Sequence, residues 1–232
     1  MHKIVILTGA GISAESGLGT FRDEGGLWSQ HRIEDVATPQ GFARDPELVQ
    51  NFYNARRAQA AQAQPNAAHH ALARLQQDWP GEVVIVTQNV DDLHEKGGAT
   101  GVLHMHGILA GALCSACDHR WTAPATMQVG EPCPACGHAT GRPDVVWFGE
   151  IPYHMEIIQQ HLADCSLFAA IGTSGQVYPA AGFVQEAQMA GAHTIELNLD
   201  PSDTVSQFQD TRFGPATRIV PAWVDQVLTA QT

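Results

Sequence analysis

Short apolar runs, separated by helix-like stretches, are the feature that most restricts how this chain of 232 residues can fold. Each run is only four to six residues long, which is typical of fully buried parallel strands. The predicted strands span residues 4–8, 83–87, 167–172, 194–199 and 217–220, and the helix-like stretches span 66–78, 156–163, 180–190 and 222–230. Strands that alternate with helices indicate an α/β fold, here a doubly wound, Rossmann-like parallel sheet.

Two segments do not fit this alternation. Residues 32–64 are helix-like, rich in Ala and Gln and punctuated by proline, and residues 107–142 are rich in Cys, Gly and Pro. We expect the two insertions to pack together as a smaller lobe beside the sheet. The predicted Rossmann-like domain then comprises residues 1–31, 65–106 and 143–232, while the helical insertion and a zinc ribbon form the small domain.

Charge and composition exclude some classes of partner. The chain has 24 acidic and 12 basic residues, of which only Lys3 and Lys96 are lysines. A surface that binds the phosphate backbone of a nucleic acid needs clustered Lys and Arg, so nucleic acid is not expected as a direct partner. The apolar runs are too short to span a bilayer, and the start MHKIVILTGAG has no features of a targeting signal. We therefore expect a cytoplasmic protein without a membrane partner.

Four of the five cysteines form a metal-binding pattern. Cys114 and Cys117, then Cys133 and Cys136, make two C-x2-C pairs separated by fifteen residues. Four thiolates at this spacing usually hold tetrahedral zinc, with an iron–sulfur cluster as the alternative. Because four protein ligands leave no open position, the predicted zinc ion is structural. The fifth, Cys165, is expected to be a small buried residue between a helix and a strand.

The first predicted strand runs into a glycine turn, Gly9-Ala10-Gly11, in a GxGxxA pattern. Such a turn lets a backbone approach a pyrophosphate closely, although a plain tight turn gives the same pattern. The acidic residue that usually follows about 20 positions later is missing, since Glu34 and Asp35 lie outside any strand pattern. An ordinary dehydrogenase is therefore disfavoured. The polar ends of the strands are expected to converge on one crevice.

Five motifs in sequence order resemble those of the sirtuins, the NAD-dependent protein lysine deacylases. They are GAGISAESGLGTFRDEGGLW at 9–28, TQNVDDLHEKGG at 87–98, HMHG at 104–107, VVWFGE at 145–150 and GTSGQVYPAAGF at 172–183. The resemblance implies transfer of the acyl group from a lysine side chain to ADP-ribose with release of nicotinamide. It also implies an NAD site formed by Gly9, Ala10, Gly11, Thr20, Phe21, Arg22, Trp28, Gln88, Asn89, Val90, Asp91, Gly172, Thr173, Ser174, Asn198, Leu199, Asp200 and Ala216.

The resemblance assigns the reacting centre to three residues. His106 is implied to be the general base on the ribose hydroxyls, and Asn89 and Asp91 are implied to orient the carboxamide and the ribose. From the residues alone, His104 and His106 share one face of an extended segment, which also suits a metal pair or a structural role. The tip with Asn89 also reads as a turn in which Asp91 or Asp92 caps the following helix, and both interpretations can hold together.

A pair of residues on one predicted helix face refines the acyl group. Tyr53 and Arg56, at i and i+3, resemble the YxxR pair of class III bacterial sirtuins. A succinyl or malonyl carboxylate would meet Arg56 in bidentate fashion and Tyr53 through its hydroxyl. The alternative is that Arg56 and Arg57 only solvate an exposed helix face.

The resemblance also implies how the peptide binds. An acyl-lysine protein substrate would add as a strand between two segments, through the substrate-binding residues Phe148, Gly149, Glu150 and Val177. One departure from the family is the apolar run from Ile108 to Leu113, which either packs under the ribbon or forms an exposed partner surface. We expect a monomer. Two rival functions stay open: an ADP-ribosyltransferase or NAD glycohydrolase, and a binding module without catalysis.

Overall fold

The computed structural model describes residues 2–19 and 31–230, and in these residues nine strands form two sheets. The strands are β1 (Ile4–Thr8), β2 (Val83–Thr87), β3 (Leu103–His104), β4 (Gly107–Cys114), β5 (Arg120–Thr122), β6 (Gly141–Val145), β7 (Leu167–Ile171), β8 (His193–Asn198) and β9 (Asp210–Phe213). The helices are α1 (Ile33–Val36), α2 (Pro39–Arg44), α3 (Pro46–Gln62), α4 (Ala67–Asp78), α5 (Leu93–Lys96), α6 (Met155–Asp164), α7 (Phe183–Met189) and α8 (Ala216–Thr229).

The larger sheet is parallel throughout and has the strand order β3-β2-β1-β7-β8-β9. Strand order reverses at β1, so the crevice beyond the carboxyl ends of β1 and β7 is the expected ligand site. Alternate residues of β1 face opposite cores: Ile4 and Ile6 pack toward α4 and α8, and Val5 and Leu7 toward α6 and α7. The predicted doubly wound α/β fold is confirmed.

One predicted strand is wrong. Residues 217–220 belong to α8, where Val220, Trp223 and Val224 form a buried stripe at helical spacing. The helix continues through Pro221, so this proline does not mark its start. The last strand of the sheet is β9 instead, an edge strand whose residues are mostly exposed. Because an edge strand of this kind lacks an apolar run, its sequence carries no strand signal.

The helical insertion and the cysteine-rich insertion pack against each other. The stretch from 32 to 64 folds into α1, α2 and α3, and two of these helices begin with proline after a capping residue: Thr38 accepts from the Gly41 amide, and Asp45 from the Leu48 amide. The cysteine-rich stretch forms an antiparallel sheet of order β5-β4-β6, which the sequence did not predict. This small sheet continues to Val145, and the proposed division into domains stays a prediction.

A third core joins the helices to the small sheet. It contains Val49, Phe52 and Tyr53 of α3, together with Leu109 of β4 and Trp147 after β6. Of the two possibilities for the apolar run from Ile108 to Leu113, the structure supports packing, since only Ala110 within it is exposed. Among the described helices, none combines the length and the hydropathy needed to cross a membrane.

Candidate active site and metal centre

The glycine turn after β1 packs directly against the end of β7. A Cβ on Gly9 would lie 2.7 Å from the Gly172 carbonyl oxygen, and a Cβ on Gly11 would lie 2.7 Å from the Gly172 Cα. Gly172 itself has a φ of +64°, a conformation that favours glycine. The turn after β1 and the end of β7 therefore contact each other through backbone atoms, without intervening side chains. This surface fits the close approach of a dinucleotide pyrophosphate.

The tip of β2 lies beside this turn. Asn89 is buried and donates from Nδ2 to the Gly9 carbonyl oxygen at 3.1 Å and to Ser13 Oγ at 3.2 Å. Asp91 accepts from Ser13 Oγ at 3.1 Å and from the Leu93 amide at 3.1 Å. Asp91 thus forms the expected turn onto the first amide of α5, whereas the N-cap residue of that helix is Asp92, which makes no side-chain capping bond. Burial raises the pKa of Asp91, and its hydrogen bonds oppose that shift.

Two histidines contact consecutive carbonyl groups of the same tip. His104 Nδ1 lies 3.2 Å from the Asn89 oxygen, and His106 Nδ1 lies 3.1 Å from the Gln88 oxygen. A carbonyl accepts only from a protonated nitrogen, so His106 carries its proton on Nδ1 and leaves Nε2 with a lone pair. Burial lowers the pKa of His106, which favours the neutral imidazole that a general base requires.

His104 is held at both nitrogens. Its Nε2 lies 2.8 Å from Glu95 Oε1, so the ring bridges α5 and the β2 tip. Although burial lowers the pKa of His104, Glu95, the Asn89 carbonyl and the charge of Asp91 together raise it by more. The pKa is thus raised in His104 and lowered in His106, so His106 is the histidine that favours the neutral form and is suited to accept a proton.

The other predicted NAD residues lie at the carboxyl ends of β7 and β8 or close to them. Asn198 Nδ2 donates to the Thr173 carbonyl at 2.7 Å, which ties these two ends together. Gln88, Thr173 and Val177 line one small cavity, which extends along the face of β7 to Phe168 and Ala170. The remaining positions take their places along this edge: Ala10 in the glycine turn, Val90 after β2, Ser174 after β7, Leu199 and Asp200 after β8, and Ala216 at the start of α8. Predicted residues Thr20, Phe21, Arg22 and Trp28 lie outside the described residues.

The predicted acyl-selecting pair lies on α3. Tyr53 is buried, and its hydroxyl oxygen accepts from Trp147 Nε1 at 3.0 Å, so the phenolic proton is left for another acceptor. Burial raises the pKa of Tyr53 to about 12. Arg56 is half-buried and lies over the Phe52 ring. Burial lowers the pKa of Arg56, while the charges of Tyr53 and Asp91 raise it.

The predicted peptide-binding segment follows β6. Phe148 is 45% exposed, and Gly149, with a φ of +93°, turns the chain after it. Glu150 accepts two hydrogen bonds from Arg142, at 2.8 and 2.9 Å, and a third from the Trp147 amide. The Arg142 guanidinium also lies 4.0 Å from the centre of the Trp147 ring. These contacts hold the loop after β6 in place, while the Phe148 side chain stays at the surface.

The four predicted zinc ligands come together. Their sulfur atoms all lie within 4.8 Å of one another, with 3.7 Å between Cys114 and Cys136 and 3.8 Å between Cys117 and Cys133. Tetrahedral zinc with bonds of about 2.3 Å to sulfur requires neighbouring sulfurs about 3.8 Å apart. The thiolate cluster therefore fits a four-coordinate zinc ion. Cys165 lies apart, buried between α6 and β7 as predicted, and its thiol donates to the Leu162 oxygen.

A buried polar network beneath the site was missed by the sequence reasoning. His69 Nδ1 accepts from the Asn66 amide, so its Nε2 carries the proton toward Ser13 Oγ, 3.5 Å away. His94 Nε2 lies 2.9 Å from Thr8 Oγ1. Burial lowers the pKa of His69 to about 4 and that of His94 to about 3. The one available signal was the N-x-x-H capping box at the start of α4.

Comparison with known proteins agrees with this geometry. The Sir2 family model matches residues 9–179. An NAD-dependent protein deacylase of Caulobacter vibrioides is 54% identical over 230 residues, 97% of this chain and 97% of the relative. A solved Sir2 homologue in complex with NAD superimposes with a TM-score of 0.91 at 36% identity, over 99% of this chain and 91% of that chain.

A second solved structure, that of Sir2Af2 bound to a myristoylated histone peptide, superimposes with a TM-score of 0.75 at 29% identity, over 99% of this chain and 92% of that chain. The family model covers more than half of the described fold, including the glycine turn, the β2 tip, His106 and the thiolate cluster. The sequence resemblance is therefore confirmed, and this chain belongs to the Sir2 family.

Proposed function

We propose that this protein is an NAD-dependent protein lysine deacylase that removes acetyl and also succinyl or malonyl groups. NAD, when bound, supplies the leaving nicotinamide and the ribose hydroxyls that receive the acyl group. The observation that carries the proposal is the position of His106 between β3 of the large sheet and β4 of the small sheet, with Nδ1 bound to the Gln88 carbonyl. Its Nε2 is thereby left to accept a proton from a hydroxyl group.

Asn89 and Asp91 orient the nicotinamide ribose end of NAD in this proposal. Both are buried and are held through Ser13, so their side chains are preorganised before NAD binds. Preorganised polar groups cost little reorganisation when the reaction begins. The adenosine end of NAD is expected to meet Gly172, Thr173, Ser174, Asn198 and Ala216, which follow β7, end β8 and begin α8. The structural zinc at the cysteine cluster takes no part in the chemistry.

The acyl preference rests on Tyr53 and Arg56. A phenol whose pKa is about 12 remains protonated at neutral pH and can donate to a carboxylate. Arg56 remains a cation despite the downward shift of its pKa by burial, because an arginine titrates so far above neutrality. A charge-assisted hydrogen bond contributes roughly 1.5–3 kcal/mol, equivalent to a roughly tenfold to hundredfold preference.

The peptide is proposed to bind as an added strand along Phe148, Gly149, Glu150 and Val177. Main-chain hydrogen bonds would supply the affinity, and this mode places few demands on the substrate sequence. Acidic surface charge would assist the encounter with lysine-rich proteins. A monomer in the cytoplasm stays a prediction.

Product analysis separates this proposal from its rival. The purified protein is incubated with NAD, alone and with acetyl-, succinyl- and malonyl-lysine peptides, and the products are identified by mass spectrometry. We expect nicotinamide and acylated ADP-ribose only when an acyl peptide is present. NAD loss without peptide would instead indicate an NAD glycohydrolase, and ADP-ribose attached to protein would indicate an ADP-ribosyltransferase.

Arg56→Met tests the acyl preference. We expect kcat/KM for a succinyl-lysine peptide to fall roughly tenfold to hundredfold, because the carboxylate loses its charged partner. For the acetyl-lysine peptide, kcat/KM should stay within about threefold, since an acetyl group has no carboxylate to bind.

Arg74→Met is the matched control. Arg74 is an exposed arginine of α4 that pairs with Asp225 of α8, and these two helices pack together on one face of the large sheet. Its replacement should leave both rates unchanged. Equal losses for the two peptides in Arg56→Met would show that Arg56 does not select the acyl group.

A further inference from the structure

Helix α3 is fastened to the small sheet by a row of polar side chains that the proposed reaction does not use. Gln50, Asn54 and Arg57 are spaced by four and three residues and so form one stripe of the helix. Each of them hydrogen-bonds to backbone groups in the cysteine-rich segment. We call these three residues the α3 clamp.

Asn54 makes the most specific contact in the clamp. Its Nδ2 donates to the Met127 carbonyl at 2.9 Å, and its Oδ1 accepts from the Met127 amide at 2.9 Å. One side-chain amide thus pairs with both polar groups of a single residue, as a neighbouring strand would. Because the amide must match both atoms at once, this pairing permits little sliding of α3 along the lobe.

Arg57 completes the arrangement. Its Nε donates to the Leu109 oxygen of β4 at 2.8 Å, and a terminal nitrogen donates to Asn54 Oδ1 at 2.7 Å. Arg57 is only 8% exposed, so it is not a residue that merely solvates the helix. Gln50 adds a contact from Nε2 to the Gly141 oxygen at the start of β6, at 3.2 Å.

The two acyl-selecting residues lie on the adjacent stripe of the same helix. Tyr53 immediately precedes Asn54, and Arg56 immediately precedes Arg57. Tyr53 also accepts from Trp147 Nε1 after β6, so its hydroxyl position depends on how α3 lies on the small sheet. A rigid helix carries Arg56 with it, and a shift of the clamp therefore shifts the guanidinium.

We infer that Asn54 and Arg57 are positioning residues for acyl selection, because they fix the register of α3 on the small lobe and thereby the place at which Arg56 meets an acyl carboxylate. This inference rests on the proposed acyl preference of Tyr53 and Arg56. It connects the cysteine-rich lobe to substrate choice through backbone hydrogen bonds, without any contact between Asn54 and the substrate.

Asn54→Ala is the direct test, measured as kcat and KM for succinyl- and acetyl-lysine peptides at saturating NAD. A displacement of about 1 Å can cost up to a hundredfold in a well-aligned site. We expect kcat/KM for the succinyl peptide to fall about tenfold, chiefly through a higher KM, and the acetyl value to stay within about twofold. A purely structural role would lower both values together and would reduce kcat.

Asn51→Ala is the matched control, since Asn51 is an exposed asparagine of the same helix and should change neither peptide's rate. Arg57→Lys is the second variant: it keeps the charge but cannot reproduce the fork of the guanidinium, and it should shift the succinyl-to-acetyl ratio in the same direction. Zinc content and thermal unfolding of each variant show whether the small lobe is retained.

Arg56→Met, measured alongside, distinguishes the two proposals. If Arg56→Met lowers succinyl turnover selectively and neither clamp variant does, the inference about Asn54 and Arg57 is overturned while the proposed function stands. If Arg56→Met affects both peptides equally, the acyl preference itself is wrong and the clamp inference is overturned with it.

Discussion

In the six-stranded sheet, alternate residues of β1 enter two separate apolar cores, whereas the cysteine-rich lobe has almost no core of its own beyond β4. Between residues 115 and 126 no residue is buried. The lobe instead depends on α3, through the third core and the α3 clamp, and on the four thiolates. One part of this chain is therefore ordered by hydrophobic burial, and the other by polar contacts and metal-ligand geometry.

Removal of the proposed zinc ion should have the largest effect on the cysteine-rich segment. Binding of a structural zinc ion is worth about 10–16 kcal/mol in small zinc domains, and the few buried residues here cannot replace it. After chelation we expect hydrogen exchange to become fast in residues 107–142, while β1, β2 and β7 keep their protection. Deacylation should be lost at the same time, because α3 loses its support.

The control for zinc removal is Cys165→Ser. Cys165 lies outside the thiolate cluster, so this variant should retain the metal and the same exchange pattern. Equal loss of protection in both regions after chelation would contradict the separation between them.

His106→Ala is the second test, and it addresses the junction between the two regions. His106 lies between β3 of the large sheet and β4 of the small one. Loss of a general base typically lowers the rate 10²–10⁴-fold, and we expect a fall of about that size in kcat. Zinc content and thermal unfolding should remain those of the unchanged protein, because within residues 2–19 and 31–230 the side chain makes a single hydrogen bond, to the Gln88 carbonyl.

The pH dependence of this reaction follows from the same residue. Because burial lowers the pKa of His106, the neutral base persists somewhat below pH 6.5, and activity should decline only as the pH falls further. A rise in kcat/KM as the pH is lowered through this range would argue against His106 as the base.

The smallest effect concerns the large sheet alone. The folded-state pKa of His94 is about 3, below the usual value of about 6.5, so the unfolded chain binds its proton first. The stability that neutral His94 contributes is therefore fully present above pH 6.5 and is lost as the pH falls toward 3. The slope for one histidine is at most about 1.4 kcal/mol per pH unit.

His94→Gln should make the free energy of unfolding less dependent on pH between 6.5 and 4, as measured by urea denaturation. Glutamine can still reach a hydroxyl such as Thr8 Oγ1, which lies 2.9 Å from the histidine ring nitrogen. His2→Gln, at an exposed position near the chain start, is the control and should leave the slope unchanged. An unaltered slope in His94→Gln would show that His94 does not contribute to acid sensitivity.

Much of the fold was predictable from local pattern. Four of the five predicted strands are present, because a strand buried on both faces must be apolar throughout, as Ile4 and Val5 illustrate. The predicted strand at 217–220 failed because a short apolar run does not distinguish a strand from a helix. Edge strand β9 and the exposed strand β5 carry no apolar pattern, so they could not be identified.

The glycine turn, the two histidines before Gly107 and the two C-x2-C pairs with the spacing of a zinc ribbon could all be identified from residue order alone. Residues that are neighbours in the chain carry these motifs, so their order and spacing suffice to reveal them. The hydrogen bonds of Asn54 with Met127 and of His69 with Ser13 became visible in the folded structure alone, since these partners are 73 and 56 positions apart in the chain. A contact of that kind depends on how whole elements pack, and it leaves no periodic trace in the chain.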